Sequence, residues 1–252
     1  MKTAKIISIT NQKGGVGKTT TAVNLAAALN INGMRTLLID IDSQGNASAS
    51  LGLIIEDDVR TIKDLLVSQQ DPNEFITRAD AVEIIPSNNS LKDIEDTLLK
   101  DRHFDTLQQS IAPLTGQYDY IILDCPPSVN VFTKNALKAS NEIIVPADAG
   151  YFSLLGLKQL LEEIERFKME LNPQLEILGV LACKYDRRTS LCGQIYETLK
   201  QSFPDKLFKT YIRLNIDIVR AQIAQKSIFS YNNKSSAAQD YMSLTEEILH
   251  GK

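Results

Sequence analysis

The sequence has few of the residues and patterns that mark several protein classes. Its three cysteines, Cys125, Cys183 and Cys192, are an odd number without a CxxC spacing, which disfavours both a disulfide framework and a zinc site. Neither histidine, His103 or His250, lies beside a serine or cysteine in a nucleophile-type sequence. No apolar stretch approaches the roughly 18 residues that a membrane span requires. With no signal-peptide pattern before the first apolar run, we expect a cytoplasmic protein in a reducing compartment.

Charge is unevenly distributed along the chain. Hydrophobic residues make up 43% and charged residues 23% of the 252 residues, which is typical of a globular protein that can bury a sizeable core. The net charge of −4 conceals an acidic region at 40–105, with 15 Asp and Glu against 6 Lys and Arg, and a basic region at 184–234, with 10 Lys and Arg against 4 Asp and Glu. The basic region predicts either a contact with a polyanion or an ordinary solvated surface.

Apolar runs of strand length alternate with stretches of helix length. Several runs are continuously apolar, as in strands that are buried on both faces. Strands are predicted at Lys5–Thr10, Thr36–Ile39, Val82–Pro86, Tyr118–Leu123, Glu142–Val145, Leu175–Ala182 and Leu207–Thr210. Helices are predicted at Thr19–Asn30, Leu91–Leu99, Asp105–Ala112, Leu154–Glu170, Leu191–Gln201 and Ala237–Leu249. The alternation predicts one α/β domain over residues 1–252, a mostly parallel twisted sheet with helices on both faces, and a peripheral polar segment at 54–75.

A glycine-rich run lies between the first predicted strand and the first predicted helix. Its backbone N–H groups and the helix N-terminus suit a phosphate. Lys18 is predicted to reach the β- and γ-phosphates of a nucleotide, Thr19 to ligate Mg²⁺, and Thr20 to contact the α-phosphate. Gln12 stands where the usual pattern has its first glycine, and the GxGxxG spacing of a dinucleotide fold is absent. The predicted phosphate loop is Lys13-Gly14-Gly15-Val16-Gly17-Lys18-Thr19-Thr20.

Two other predicted strands end in carboxylates. Asp124 follows a buried strand, so it is placed to hold Mg²⁺ beside the phosphate loop, or else it caps a turn. Asp40 and Asp42 follow an earlier strand. One of them is predicted to support the metal and the lysine and the other to orient a water molecule on the γ-phosphate, unless both merely cap the next helix. Gly45 is predicted to let the following loop move with the nucleotide state.

These motifs together resemble those of the ParA/Soj partition ATPases. That family belongs to the deviant Walker A group of P-loop proteins, with MinD and the nitrogenase iron protein as relatives. The resemblance runs from Lys5 to about Ala182, and more weakly to the end of the chain, and it implies the P-loop NTPase fold. In this sequence the motifs are Lys-Gly-Gly-Val-Gly-Lys-Thr-Thr, Leu-Ile-Asp-Ile-Asp-Ser-Gln-Gly-Asn and Ile-Leu-Asp-Cys-Pro-Pro, in the order and at the intervals of the family.

The resemblance implies roles for the charged residues of these motifs. In the family, two ATP-loaded protomers dimerise face to face, and a signature lysine reaches the partner's phosphates. Lys13 matches that lysine, so its charge would favour the ATP-bound dimer and stabilise the leaving phosphate. Asp42 matches the residue that positions the attacking water, Asp40 a residue that supports the Mg²⁺ shell, and Asp124 the metal-linked aspartate. Catalytic roles are therefore expected for Lys13, Lys18 and Asp42, and metal-binding roles for Thr19, Asp40 and Asp124.

The resemblance also separates this chain from several relatives. Its acidic carboxyl-terminal segment is unlike the basic membrane helix of MinD-type proteins, so no membrane contact is expected. The phosphate loop begins at residue 13, so we expect no amino-terminal helix-turn-helix domain. The chain departs from the family pattern over 212–222, a region that in relatives lies near the nucleotide base and the DNA-contacting face. Non-specific, salt-sensitive contacts to DNA phosphates are expected from Lys184, Arg187, Arg188, Arg213, Arg220, Lys226 and Lys234.

The function that the resemblance implies is that of a weak ATPase, which alternates between a monomer and an ATP-bound homodimer and uses ATP and Mg²⁺. The dimer is expected to bind non-specific double-stranded DNA of the nucleoid. A ParB-like partner would stimulate hydrolysis and so drive chromosome or plasmid partition. The alternative is an ATP-switched scaffold that positions a protein complex or the division machinery without binding DNA. The sequence leaves the cargo open between chromosome, plasmid and protein assembly.

Overall fold

The computed structural model describes residues 3–53, 59–68, 70–100, 103–148, 153–186 and 188–251. The strands of this part are β1 (Lys5–Ile9), β2 (Thr36–Asp40), β3 (Thr77–Ala79), β4 (Val82–Ile85), β5 (Tyr120–Asp124), β6 (Glu142–Asp148) and β7 (Glu176–Cys183). They form a seven-stranded sheet in the order β3-β4-β2-β5-β1-β6-β7. The pair β3–β4 at one edge is antiparallel and the other pairs are parallel, which confirms the predicted mostly parallel sheet.

Helices cover both faces of this sheet. The α-helices of the described residues are α1 (Lys18–Ile31), α2 (Asn46–Ser50), α3 (Ile62–Val67), α4 (Glu95–Lys100), α5 (Thr106–Ile111), α6 (Val131–Ala139), α7 (Ser153–Leu171), α8 (Ser190–Ser202), α9 (Ile216–Ile223), α10 (Ile228–Asn232) and α11 (Ser236–His250). Successive strand residues point to opposite faces. Ile7 and Ile122 therefore pack on the side of α1 and α11, and Ile6 and Ile121 pack on the side of α3, α5 and α6.

Helix α1 is buried on nearly all sides because it lies between the sheet and a second helical layer. It contacts β2, β4 and β5 on one side and α10 and α11 on the other. Its central residues are small or aliphatic, and Ala22, Leu25, Ala26 and Leu29 are fully buried. Alanine costs no side-chain entropy in a helix and lets neighbouring elements approach closely. The helix that carries the phosphate loop is thus fixed firmly to the sheet.

Six of the predicted strands are present, with ends that differ by up to three residues. The seventh, Leu207–Thr210, was wrong, since within the described residues it contributes only an isolated bridge between Leu207 and Val180. The prediction that segment 54–75 is peripheral was also wrong in part. Ile62 and Phe75 belong to the buried core, because α3 and a 3₁₀ turn at Pro72–Phe75 pack there. Residues 54–58 of that segment lie outside the described part of the chain.

The sheet order brings the ends of three strands together. Asp124 at the end of β5 is in register with Ile9 on β1 and with Asp40 on β2. The loop after β1 carries the glycine-rich run, and the loop after β2 carries Asp42. In an open parallel sheet, ligands bind beyond the carboxyl ends of the strands. The strand order therefore brings together, at the carboxyl ends of the strands, motif residues such as Lys18 and Asp124 that are more than a hundred positions apart in the sequence.

Candidate functional site

The glycine-rich loop at residues 10–17 joins β1 to α1 and is open on one side. Gly15 and Gly17 have φ angles of 72° and 101°, in the left-handed region that favours glycine. A Cβ added to Gly14 or Gly15 would meet no heavy atom within 4 Å, whereas Val16 is buried and anchors the loop in the core. The unpaired N–H groups at the start of α1 add positive potential at this end. The loop is therefore suited to hold a phosphate.

Lys18 is the buried cation of this loop. Only 7% of the residue is exposed, and its Nζ donates a hydrogen bond to the backbone carbonyl oxygen of Lys13 at 3.2 Å. Burial lowers the pKa of Lys18, while the carboxylates of Asp124 and Asp42 oppose that shift. Lys13 itself is exposed, and its backbone N–H donates to Oδ1 of Asn11 at 3.0 Å. One loop lysine is thus enclosed by the site and the other faces outwards.

Asp124 is a buried carboxylate to which no described residue donates a hydrogen bond within 3.5 Å, although the Thr19 hydroxyl and the Lys18 ammonium lie near it. It is fully buried, and among the described residues neither carboxylate oxygen has a hydrogen-bond partner. Burial, and then the charge of Asp40, raises the pKa of Asp124 well above its ordinary value, while the nearby Thr19 hydroxyl and the Lys18 ammonium oppose the rise. A buried unpaired carboxylate destabilises the fold unless a cation or a donor approaches it. A buried carboxylate in such an environment is expected where a protein binds a divalent cation.

The residues present fit Mg²⁺ that shares its coordination with a nucleotide. Mg²⁺ prefers hard oxygen ligands, and protein sites usually hold it with one or two side chains plus phosphates and water. In the part of the chain that the structure describes, no group of three or more His, Cys, Asp or Glu side chains could hold a metal by itself. Thr19 at the cavity wall and Asp124 behind it are the candidate ligands, with Asp124 acting directly or through water.

Asp40 is already satisfied by its own chain. Its Oδ1 accepts the backbone N–H of Asp42 at 3.1 Å, and its Oδ2 accepts the backbone N–H and the hydroxyl of Ser48 at 2.9 and 2.8 Å. Burial raises the pKa of Asp40, and these hydrogen bonds oppose the rise. These hydrogen bonds occupy both carboxylate oxygens and hold the loop that carries Asp42. That Asp40 supports the Mg²⁺ shell stays a prediction.

The loop after β2 brings Asp42 to the wall of a cavity of about 630 Å³. Asp42 is 6% exposed, and its Oδ1 accepts the backbone N–H of Gln44 at 2.9 Å. Val16, Asp40 and Asp124 are buried and do not line the cavity, and Lys13 is exposed outside it. The residues predicted for the nucleotide site that line the cavity are Gly14, Gly15, Gly17, Lys18, Thr19, Thr20 and Asp42.

The far wall of the cavity comes from the region 212–222, in which no residue had been predicted to contact the nucleotide. Ile218, Val219 and Gln222 of α9 line it, together with Gln44 and Asn46. The amide nitrogen Nε2 of Gln222 donates to the hydroxyl of Thr20 at 3.1 Å, so α9 is fastened to the start of α1. The one sequence signal for this wall was the departure from the family pattern over 212–222, which marked the region but not the contacts.

Arg213, a predicted DNA contact, is paired within its own chain, so a contact between it and DNA stays a prediction. Its Nη2 and Nε donate to the carboxylate of Asp240 at 2.6 and 2.9 Å, and Nη2 also donates to the backbone carbonyl of Ser236 at 3.0 Å. The backbone N–H of Arg213 donates to the same carboxylate at 2.9 Å. The partly exposed guanidinium therefore joins the chain after α8 to α11.

The other candidates for DNA contact fall into three groups. Lys184 lines the cavity beside the phosphate loop, so its side chain is placed to contact a ligand in that cavity rather than DNA. Arg188 and Arg220 are exposed but form ion pairs with Asp186 at 2.8 Å and with Asp217 at 3.2 Å. Exposed pairs of this kind reduce the charge available to a polyanion. Lys226 and Lys234 are exposed, and Arg187 lies outside the described residues.

A phosphate loop between a parallel strand and a buried helix, with carboxylates at the ends of two neighbouring strands, defines a P-loop nucleoside triphosphatase. The family model described as an AAA domain matches residues 4–177. Sporulation initiation inhibitor protein Soj of Bacillus subtilis strain 168 is 41% identical over 247 residues, which cover 97% of this chain and 98% of Soj. Chromosome partitioning protein ParA of Myxococcus xanthus is 36% identical over 248 residues, which cover 97% of this chain and 88% of that protein. The chain belongs to the ParA/Soj family of P-loop ATPases.

A solved structure confirms the fold. Cobyrinic acid a,c-diamide synthase from Mycobacterium smegmatis with bound ADP and magnesium superposes with a TM-score of 0.86 at 30% identity, over 98% of this chain and 94% of that chain. The ADP and magnesium belong to that protein, and its name describes a different activity. One fold serves several functions, so this likeness supports the architecture while the site residues must carry the function.

Proposed function

We propose that this protein is an Mg²⁺-dependent ATPase that switches between a monomer and an ATP-bound homodimer. The dimer binds non-specific double-stranded DNA and, with a ParB-like partner that stimulates weak hydrolysis, drives DNA partition. The proposal that the protein binds and hydrolyses ATP rests on one observation. Lys18, Thr19 and the buried carboxylate of Asp124 lie close together at the carboxyl ends of the strands. The partition part is supported by the relatives, which are named for sporulation control and chromosome partitioning.

Each site residue has a distinct task in this proposal. The backbone of Gly14–Gly17 and the ammonium of Lys18 bind the β- and γ-phosphates. Thr19 and Asp124 would hold Mg²⁺, which supplies positive charge to the phosphate that is transferred. Asp42 orients the attacking water at the cavity wall, and exposed Lys13 reaches the nucleotide of the partner protomer. Nucleotide hydrolysis of this kind depends mainly on positioning and on preorganised charge.

ATP hydrolysis in the presence and absence of Mg²⁺ tests the enzyme part. We expect turnover by the wild type that requires Mg²⁺ and falls to background in Lys18→Ala. Lys200→Ala removes an exposed lysine on α8 and serves as the matched control. If Lys18→Ala hydrolyses ATP as fast as the wild type, or if neither protein is active with DNA and partner present, the ATPase proposal is wrong.

Binding to a random DNA duplex at several salt concentrations tests the partition part. Contacts to phosphates release counterions, so affinity should fall steeply as salt rises and should require ATP. Exposed Lys226 and Lys234 are the first candidates, since Arg188 and Arg220 are paired with carboxylates. We expect Lys226→Ala with Lys234→Ala to weaken binding to all duplexes alike and to reduce the salt dependence.

An ATP-switched scaffold that positions a protein complex is the second candidate. It is favoured by the engagement of two basic candidates elsewhere, since Arg213 pairs with Asp240 and Lys184 lines the cavity. Among the described residues no helix is long and apolar enough to cross a membrane. ATP-dependent dimerisation with no DNA binding at low salt would support the scaffold and remove the partition proposal.

A further inference from the structure

A chain of buried hydrogen bonds lies under the loop that carries Asp42. Ser48 at the centre of this chain is fully buried. Its hydroxyl donates to Oδ2 of Asp40 at 2.8 Å and accepts the backbone N–H of Ser87 at 3.0 Å. Ser87 follows β4, so one hydroxyl joins the end of β2 to the end of the neighbouring strand. These contacts involve none of the residues that the phosphate-loop motif supplies.

The carboxylate of Asp40 closes the loop at both ends. It accepts the backbone N–H of Asp42 at 3.1 Å on one oxygen and the backbone N–H of Ser48 at 2.9 Å on the other. Between these two points, the backbone carbonyl of Asp42 accepts the N–H of Gly45 at 2.9 Å. Asp42 therefore lies in a short segment whose first and last backbone N–H groups both donate to the Asp40 carboxylate.

The end of β4 supports the same loop from below. A Cβ added to Gly45 would lie 2.6 Å from the backbone carbonyl oxygen of Ser87, so the two backbones are in close contact. On its other side this segment is held by the N–H of Ile62, which donates to the carbonyl of Pro86 at 2.8 Å. The backbone at Pro86 and Ser87 is therefore held in place, and the Ser48 hydroxyl connects it to Asp40 through hydrogen bonds.

We propose that the Ser48 hydroxyl is a positioning group for Asp42. It orients the Asp40 carboxylate and fixes the 42–48 loop on the end of β4, so that the Asp42 carboxylate stays at the wall of the nucleotide cavity. The effect of Ser48 on catalysis rests on the ATPase function proposed above. Loss of the hydroxyl would leave the buried N–H of Ser87 without an acceptor and Oδ2 of Asp40 with one donor fewer, and such groups are costly to leave unpaired.

The chain supplies matched variants for this proposal. Ser48→Ala removes the linking hydroxyl, and Ser48→Thr retains a hydroxyl at the same position. Ser87→Ala removes a side-chain hydroxyl that is equally buried and lies at the same place in the fold, but whose Oγ has no hydrogen-bond partner among the described residues. Because the link uses only the backbone of Ser87, this second alanine should leave the anchor intact.

Amide hydrogen exchange of the nucleotide-free protein tests the anchor directly. In Ser48→Ala, the amides of Asp42, Ser48 and Ser87 should exchange about tenfold faster, as expected when a buried hydrogen bond is lost. In Ser87→Ala they should exchange at the wild-type rate, and Ser48→Thr should restore protection. Unchanged exchange in Ser48→Ala, or equal acceleration across the whole sheet in that variant, would overturn the anchoring role.

Steady-state kinetics tests the consequence for Asp42. We expect kcat for ATP hydrolysis to fall about tenfold in Ser48→Ala with KM changed less than twofold, because small displacements of a positioning group reduce rate more than binding. Ser48→Thr should recover most of kcat. An unchanged kcat in an active protein overturns the proposal. If the wild type proves inactive, the ATPase function fails by itself and the exchange measurement alone decides whether Ser48 anchors the loop.

Discussion

The buried ammonium of Lys18 donates a hydrogen bond to the backbone carbonyl of Lys13 at 3.2 Å, so the two lysines of the phosphate loop are linked through the main chain of one and the side chain of the other. The contact leaves the Lys13 side chain exposed. Its charge is therefore available to an anion outside this protomer, and Lys18 uses only the backbone carbonyl of Lys13.

Lys13→Ala should separate nucleotide binding from dimerisation. The variant retains the backbone carbonyl that Lys18 uses, so nucleotide affinity should stay within about threefold of the wild type, a difference below 1 kcal/mol. ATP-dependent dimerisation should be lost. Light scattering with a slowly hydrolysed ATP analogue measures the proportions of monomer and dimer. Lys200→Ala is the control. Normal dimerisation of Lys13→Ala would remove the role of this lysine.

Asp42→Ala should bind ATP and remain dimeric while its turnover falls. A group that positions or activates the attacking water is worth about 10²- to 10⁴-fold in rate. Asp42→Asn can still accept the hydrogen bond from the backbone of Gln44, so it separates the charge of the side chain from its role in the loop. Single-turnover hydrolysis measures the effect. Rapid turnover by Asp42→Ala would reassign the water-positioning role.

Asp240→Ala should destabilise the fold without a direct effect on the nucleotide site. The change leaves the guanidinium and backbone N–H of Arg213 without their carboxylate, and the side chains of this pair are only 26% and 10% exposed. We expect a loss of about 1–3 kcal/mol in the free energy of unfolding, measured with urea. Glu246→Ala removes an exposed carboxylate of the same helix and should change stability by less than about 0.5 kcal/mol.

Gly45→Ala should be costly for steric reasons. The residue has a φ angle of 61°, and an added Cβ would lie 2.6 Å from the carbonyl oxygen of Ser87. We expect a destabilisation of about 1–3 kcal/mol together with slower ATP hydrolysis, because the Asp42 loop must move away from β4. At Gly116 an added Cβ meets nothing within 4 Å, so Gly116→Ala is the control. Wild-type stability and turnover of Gly45→Ala would contradict the close contact. Whether Gly45 also permits movement with the nucleotide state stays a prediction.

The central sheet was predictable because its strands are buried on both faces and contain almost only apolar residues. The edge strand β3 was not, since Thr77–Ala79 is three residues long and only Ala79 is buried. Helix α9 was missed although Ile216, Val219 and Ile223 have helical spacing; it is only eight residues long, and these three side chains are 60%, 48% and 78% exposed. Short or exposed elements depend on tertiary contacts, which periodicity does not show.

The site was predictable where chemistry depends on local sequence, and less so where it depends on partners from distant segments. The loop residues from Gly14 to Thr20 and the carboxylate of Asp42 follow strand ends that the sequence reveals. Arg213 resembled a free cation because its partner Asp240 is 27 positions away. The hydrogen bonds between Asp40 and Ser48 were not predicted, because Ser48 lies eight residues further along in a short helix.

Asn24 joins two parts of the chain that lie 204 positions apart in the sequence. Its Nδ2 donates to the carbonyl of Thr20 at 2.8 Å, and its Oδ1 accepts the backbone N–H of Ile228 at 2.7 Å. One amide in the middle of α1 thus connects the first turn after the phosphate loop to the entry of α10. The position of the carboxyl-terminal helices is in this way coupled to the position of the phosphate loop. An insertion or deletion between α9 and α10 would be transmitted to the nucleotide cavity through the register of that single side chain.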